Sequence, residues 1–289
     1  MKKLLLSVLA LTAILGVSSV SAQKTTLTVE KLWSITEPGG GAARQGFGMD
    51  GALYYHQQGT GVYKVTAADA TPELVISKEA SGIAAHAVAK DDAGNIVIFG
   101  SAGFPTSATT ENFIYVQKKG ETAGVQIASP TLEGFNRTDF IAAAGDVFSA
   151  EGGHLYLINN DGKAAFDVLI KDGVATATVM AGVTAGGNQN TFMCAHDGIY
   201  HYAAAGHGVF SFDGTTATKV DGLTDIQAQC LGTTHFTLAG KEIWAYHVVG
   251  NYTSEFQILN KTDNNFVTDS KGNTVFVLND VSKSSGGAL

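Results

Sequence analysis

Polar side chains recur at one place in a repeated pattern, just before each of five β-rich runs. They are Arg44, Gln45, His86, Arg137, Asp139, Asn188, Asn190, Gln227 and Gln229. Amides both donate and accept hydrogen bonds, and Arg binds carboxylates through two parallel bonds. This chemistry suits a ligand rich in hydroxyl or carboxylate groups, such as a glycan. The alternative is that these groups satisfy one another and ordered water, because buried polar groups nearly always have partners.

From this set we predict the ligand-binding residues Arg44, Gln45, His86, Arg137, Asp139, Asn190 and Gln227. Catalysis has no comparable signature. Glycoside hydrolysis needs a second carboxylate about 5 to 10 Å from the first, and the positions that match Asp139 in the other repeats carry amides or imidazole. No Gly-x-Ser-x-Gly nucleophile motif occurs. We therefore expect no catalytic residue and no cofactor.

Candidate metal ligands are present, but their spacing is unfavourable. His196, His201 and His207 lie close in sequence without a motif that places two ligands on one face. Residues 91–95 and 269–273 concentrate oxygen ligands, yet neither segment follows the alternating acidic pattern of a calcium loop. We expect no metal site, and we expect these Asp and Asn residues to stabilise turns.

Six Gly-containing turns, each followed by a short β-rich run, must position the polar residues. The first apolar residues of the runs are separated by 43, 59, 44, 44 and 32 positions, and they are Leu53, Ile96, Leu155, Ile199, Ile243 and Val275. A period of about 40 to 50 residues is typical of four-stranded propeller blades. The innermost strands of a propeller surround its central channel, so the polar positions should meet at one end of that channel.

The ends of the chain suggest how the propeller closes. The sixth run leaves too few residues for two further strands, whereas residues 27–35 form a β-rich segment before the first repeat. Pairing this segment with the last blade would remove an open sheet edge. We predict an all-β fold with six four-stranded blades closed in this way, and a loose tail over residues 282–289. A five-bladed ring with an irregular tail, or a chain cut short of its natural end, is the alternative.

The first 22 residues resemble an export signal. Lys2 and Lys3 precede an apolar stretch at residues 4–17, and the small-residue sequence Val20-Ser21-Ala22 follows. The stretch is shorter than the roughly 20 residues of a membrane-spanning helix. We expect cleavage before Gln23, a single domain over residues 23–289, no membrane segment after cleavage, and a periplasmic, cell-surface or secreted location.

Charge restricts the class of partner. Without the signal, 16 Lys and Arg face 26 Asp and Glu, which gives a formal charge of −10. Such a chain repels the phosphates of nucleic acid, so we expect no nucleic acid partner.

The two cysteines, Cys194 and Cys230, occupy matching places in adjacent repeats. An oxidising compartment would permit a disulfide, but the bridge requires Cα atoms within about 7 Å of each other. Two buried free thiols are the alternative.

Several short segments carry a family resemblance. They are Leu32-Trp33-Ser34, Arg44-Gln45-Gly46-Phe47-Gly48, Leu53-Tyr54-Tyr55, Arg137-Thr138-Asp139-Phe140 and Gly145-Asp146-Val147. The chain resembles uncharacterised secreted propeller-like proteins of the Bacteroidetes (DUF4623-like), and its export signal ending Ser21-Ala22-Gln23 looks like theirs. The resemblance implies a propeller with a cell-envelope or glycan-associated role, and it supplies no catalytic residues.

Together these observations favour an exported, non-catalytic propeller that binds a carbohydrate or protein partner at the channel face. A polysaccharide lyase or hydrolase, with carboxylates supplied by loops, is the first alternative. A structural protein of the envelope is the second.

Overall fold

The computed structural model describes most of the central part of the chain. The described residues are 43–67, 70–102, 111–135, 138, 140–159, 164–181, 183, 192–196, 199–204, 208–213, 215–219, 233–247, 255–263, 265–268 and 271–277. Within these ranges the strands form five antiparallel sheets. In each sheet the first four strands form a meander in which consecutive strands pair, and we call each sheet a blade.

The first three blades are four-stranded meanders. Blade one contains β1 (Ala43–Met49), β2 (Ala52–Gln57), β3 (Gly61–Val65) and β4 (Glu73–Ser77). Blade two contains β5 (Ala84–Lys90), β6 (Ile96–Ser101), β7 (Asn112–Gln117) and β8 (Val125–Ala128). Blade three contains β9 (Ile141–Gly145), β10 (Gly153–Ile158), β11 (Ala165–Lys171) and β12 (Val174–Val179).

The last two blades continue the pattern. Blade four contains β13 (Phe192–His196), β14 (Ile199–Ala204), β15 (Gly208–Phe212) and β16 (Ala217–Lys219). Blade five contains β17 (Thr233–Leu238), β18 (Lys241–His247), β19 (Glu255–Asn260), β20 (Asn265–Phe266) and β21 (Val275–Val277).

A single short helix, α1 (Lys78–Ser81), links blade one to blade two in the described chain. The Ser77 side chain caps its first turn, and Gly82 ends it in the left-handed conformation at φ +70°. No helix among the described residues has the length and apolar character that crossing a bilayer requires.

The blades pack side by side through the alternating faces of their strands. Ile96 and Ile98 of β6 point towards blade one, where they pack with Tyr54. Val97 and Phe99, the residues between and after them, pack in a cluster that also contains residues of blade three. The first strands of consecutive blades contact one another from β1 through β5, β9 and β13 to β17. This arrangement confirms the predicted propeller.

The predicted count of six blades is not confirmed. Val275–Val277 pairs with β19 along the edge that β20 also occupies, so it belongs to the outer strand of blade five. β20 pairs with Leu259 and Asn260 of β19, and Val275–Val277 pairs with residues 255–257 along the same edge. Residues 27–35, predicted to close the ring, and the predicted tail at residues 282–289 lie outside the described residues.

Candidate functional site

The antiparallel order of each blade brings particular strand ends together. The first strand of a blade starts where the second strand ends, so the starts of β1, β5 and β9 lie at the same end as the ends of β2, β6 and β10. We call this end of blades one to three the channel entrance. The turns between first and second strands lie at the opposite end.

The first strands of blades one and two each contain a β-bulge at the channel entrance. In β1, Ala43 pairs with Gln57 and Gly46 pairs with Tyr55. Arg44 and Gln45 therefore lie opposite one residue, His56. In β5 the bulge isolates His86, because Ala85 pairs with Gly100 and Ala87 pairs with Phe99. Bulges redirect side chains and are frequent next to functional sites. Two predicted site residues, Gln45 and His86, therefore occupy matching irregularities.

Gln45 connects blade one to blade three. Its Nε2 donates to the carbonyl oxygen of Ile141 at 2.6 Å, and the Ile141 N–H donates to its Oε1 at 3.1 Å. The Gln45 carbonyl oxygen lies 3.2 Å from Nδ1 of His56, which is fully buried. The Gln45 side chain thus forms part of the wall of the entrance, and it is partly exposed.

A belt of buried polar side chains surrounds these bulges. His56, His86, Ser101 and Asn159 are fully buried, and Thr138 is nearly so. Thr138 donates to the Phe140 carbonyl at 2.7 Å, and Asn159 Nδ2 donates to the Gly134 carbonyl at 3.1 Å. The side chains of Thr138 and Asn159 are therefore used within the fold, where each holds a backbone carbonyl.

Sequence reasoning missed three members of this belt. His56 lies near the end of β2, Ser101 ends β6, and Asn159 directly follows β10. A polar residue that closes the second strand of each of three consecutive repeats was the available signal. It is weaker than the signal before the first strands, because it covers three repeats and the other signal covers five.

The other predicted site residues lie partly or wholly outside the part of the chain that the structure describes. For Arg44 the structure describes the backbone, which lies in β1, and not the side chain. Arg137, Asp139, Asn190 and Gln227 lie outside the described residues, as do Asn188, Gln229 and Cys230. Their predicted roles, and the possible disulfide between Cys194 and Cys230, stay predictions.

The predicted turn at residues 91–95 connects β5 to β6 within blade two. It forms hydrogen bonds to blade three at the end opposite the channel entrance. Asp91 is buried and accepts hydrogen bonds from the N–H and Nδ2 of Asn95 and from the N–H of Val147, at 2.8, 2.8 and 3.0 Å. Asn95 Nδ2 also donates to Asp146 at 2.8 Å. Burial raises the pKa of Asp91, and these hydrogen bonds oppose the rise. The carboxylate is used within the fold, as expected for a turn-stabilising residue.

Clusters of His, Cys, Asp or Glu able to hold a metal ion are absent from the part of the chain that the structure describes. His196 and His201 have only their backbones described, and His207 lies outside the described residues. Residues 269 and 270 of the second oxygen-rich segment also lie outside them.

A His–Asp pair lies on blade three, away from the entrance. His154 Nδ1 lies 2.7 Å from Asp167 Oδ1, and the two side chains are 40% and 31% exposed. The hydrogen bond to Asp167 raises the pKa of His154, and partial burial opposes the rise. The His154 ring also stacks on Tyr156 at a centroid distance of 6.0 Å.

We expect Asp167→Asn to lower the pKa of His154 towards its ordinary value in an NMR titration between about pH 5 and 8. Because the folded-state pKa is raised, the pair stabilises the fold below the unfolded-state pKa, and this contribution is lost as pH rises through the folded-state pKa. Solvent screening limits the contribution to a few tenths of a kcal/mol. Asp213→Asn, in blade four, is the control. An unchanged pKa of His154 in Asp167→Asn would contradict the assignment.

Comparison with known proteins finds structures of similar fold and no match in sequence. No protein-family model matches the chain, and no curated protein matches it in sequence. A structural-genomics protein of unknown function from Bacteroides thetaiotaomicron is 13% identical with a TM-score of 0.56, over 85% of this chain and 60% of its own. A DUF4623 family protein from Bacteroides eggerthii is 11% identical with a TM-score of 0.53, over 77% of this chain and 55% of its own.

The GH74 enzyme of Niastella koreensis is 14% identical with a TM-score of 0.54, over 79% of this chain and 37% of its own. The chain therefore spans between 37% and 60% of the length of these three structures. At such identities the likeness concerns fold alone, because one fold carries many functions. The chain is a β-propeller whose fold is similar to that of a DUF4623 family protein, as the sequence resemblance suggested.

Proposed function

We propose that this chain is an exported, non-catalytic propeller that binds a carbohydrate or protein partner at the channel entrance. The observation that supports it most is the pair of matching bulges at Gln45 and His86, in the first strands of consecutive blades. A regular ladder would satisfy the backbone better, so a repeated bulge at one end of the ring favours a role for that end.

The proposed contacts divide into two layers. His86 and the buried belt form the inner layer and hold the entrance in shape. The outer layer comprises the predicted polar residues that follow the same repeat position, namely Arg44, Arg137, Asp139, Asn190 and Gln227. Guanidinium and amide groups bind hydroxyl and carboxylate groups without any reaction centre. Export through the signal at residues 1–22 would place the protein where glycans and envelope proteins are found.

The test is a glycan array and a screen of envelope proteins with residues 23–289, followed by calorimetry on each hit. Arg137→Ala should weaken binding at least about tenfold, as loss of a charge-assisted hydrogen bond predicts. The control is Lys171→Ala, because Lys171 is exposed and ends β11 at the opposite end. Equal affinities in Arg137→Ala, Arg44→Ala and the control would exclude the entrance as the site. Release of sugar products over time would instead indicate an enzyme.

A further inference from the structure

The channel-facing edge of β9 offers backbone groups in an alternating order. Ile141, Ala143 and Gly145 lie opposite Leu157, Leu155 and Gly153 of β10. The N–H and C=O of Ile141 bond to Gln45, and those of Gly145 bond to Asp92, at 2.7 Å to Oδ2 and 3.0 Å from its N–H. Residues two apart in an antiparallel strand project these groups in the same direction. Both ends of this edge are thus paired by groups from outside blade three.

The two ends of the edge are paired in different ways. Asp92 belongs to the turn between β5 and β6 and uses its own backbone N–H, so its pairing is part of the fold. Gln45 uses only its side-chain amide, which reaches across the entrance from blade one. A side chain can leave by rotation about its χ angles, whereas a backbone pairing requires the strand to move.

Gln45 is suited to such a movement. Its side chain is partly exposed, and the contact between His56 and Gln45 involves only the main-chain carbonyl of Gln45, so it does not depend on the position of the amide. The two bonds to Ile141 join neutral groups, and each replaces a bond to water, so its net contribution to the free energy is small. The loss of conformational entropy on ordering a glutamine side chain opposes them by a similar amount. The amide is therefore held weakly at a well-defined position.

We propose that the N–H and C=O of Ile141 form a binding point for a primary carboxamide, which Gln45 fills in the free protein and a ligand's carboxamide occupies in the complex. The assignment deepens the proposed function, on which its biological role rests. A primary carboxamide presents an acceptor and a donor side by side, as Gln45 does. A carboxylate presents acceptors only and would face the Ile141 carbonyl oxygen. The carboxamide of the ligand comes from an Asn or Gln side chain of a protein, or from a small free carboxamide.

The test removes the internal amide and supplies one from solution. Propionamide is titrated into Gln45→Ala, with the Ile141 backbone amide followed by NMR. The vacated point should bind propionamide, shift the Ile141 signal and raise the melting temperature. Wild type should bind it about two- to sixfold more weakly, because the weakly held Gln45 amide competes for the same point. Gln45→Leu, which fills the space without a donor or acceptor, should not respond.

Three comparisons complete the test. N-methylacetamide in its trans form and propionate should not shift Ile141 in Gln45→Ala. A short peptide containing Gln that binds wild type more than about tenfold tighter than propionamide identifies a protein source, and equal affinities identify a small carboxamide. If Gln45→Ala does not fold, Gln45→Asn takes its place, since its amide falls one methylene short of Ile141.

A folded variant whose Ile141 signal ignores propionamide overturns the carboxamide assignment, whatever the glycan array shows. If propionamide shifts Ile141 while no glycan or envelope protein binds, the carboxamide point stands and the proposed function fails.

Discussion

Gly61→Ala is expected to lower the free energy of unfolding by more than about 3 kcal/mol or to prevent folding. Gly61 starts β3 at the channel entrance with φ +150°, a conformation that residues with a Cβ rarely adopt. A Cβ there would lie 2.1 Å from the carbonyl oxygen of Ile76 in the neighbouring strand β4. That oxygen belongs to the backbone of a paired strand, so relieving the clash requires β4 to separate from β3.

Gly48→Ala is the matched control for Gly61→Ala. Gly48 also lies in a strand of blade one, but no atom lies within 4 Å of its added Cβ. We expect its stability to stay within about 0.5 kcal/mol of the parent or to rise slightly. Urea unfolding of residues 23–289, followed by circular dichroism, measures both variants. Equal stabilities of the two variants would show that β3 and β4 are not paired as described.

Asp91→Ala is expected to lower the free energy of unfolding by about 3 kcal/mol. The substitution leaves three buried donors without their acceptor, two on Asn95 and one on Val147. Two of these donors belong to the turn of blade two, and the third belongs to blade three. The loss therefore weakens both the turn and the contact between the blades. Asp92→Ala, which removes the carboxylate acceptor of the Gly145 N–H and leaves the backbone bond between these two residues, should cost about 1 kcal/mol.

A double-mutant cycle tests the network around Asp91. Asn95→Ala and Asp91→Ala combined should cost less than the sum of the single changes by more than about 0.5 kcal/mol, because they share hydrogen bonds. The raised pKa of Asp91 also sets a sign for pH dependence. Its contribution to stability falls as pH rises from the unfolded-state pKa through the folded-state pKa, and this slope should vanish in Asp91→Ala. Additive costs together with an unchanged slope would contradict the network.

The repeat could be read from the sequence because its physical causes are local. Turns such as Asp50-Gly51 need a positive φ at both residues, and the structure gives +51° and +74°. The apolar residues that follow alternate between two faces, as Leu53 and Tyr54 do. Spacings of 43 and 44 residues between Leu53 and Ile96 and between Ile199 and Ile243 then predicted four-stranded blades.

The sequence predicts where polar residues recur in the repeat, but it does not predict how they are arranged in the site. The polar residues before the first strands were found, but the bulges at Gln45 and His86 depend on pairing with β2 and β6 and leave no local signal. Contacts across blades are harder still, since Gln45 and Ile141 are 96 residues apart. A Gly-containing turn before Val275 predicts the second strand of a sixth repeat, whereas this segment pairs with β19 of blade five.

Hydrogen–deuterium exchange on the complex with a hit from the array tests most directly whether the channel entrance binds the partner. We expect slower exchange in peptides that cover residues 43–47, 56–61 and 82–87, which lie at the channel entrance or directly before β5. Exchange should be unchanged in residues 91–95 and 146–152, the turns at the opposite end. Protection confined to those turns, or to the outer strands β4, β8 and β12, would contradict binding at the channel entrance.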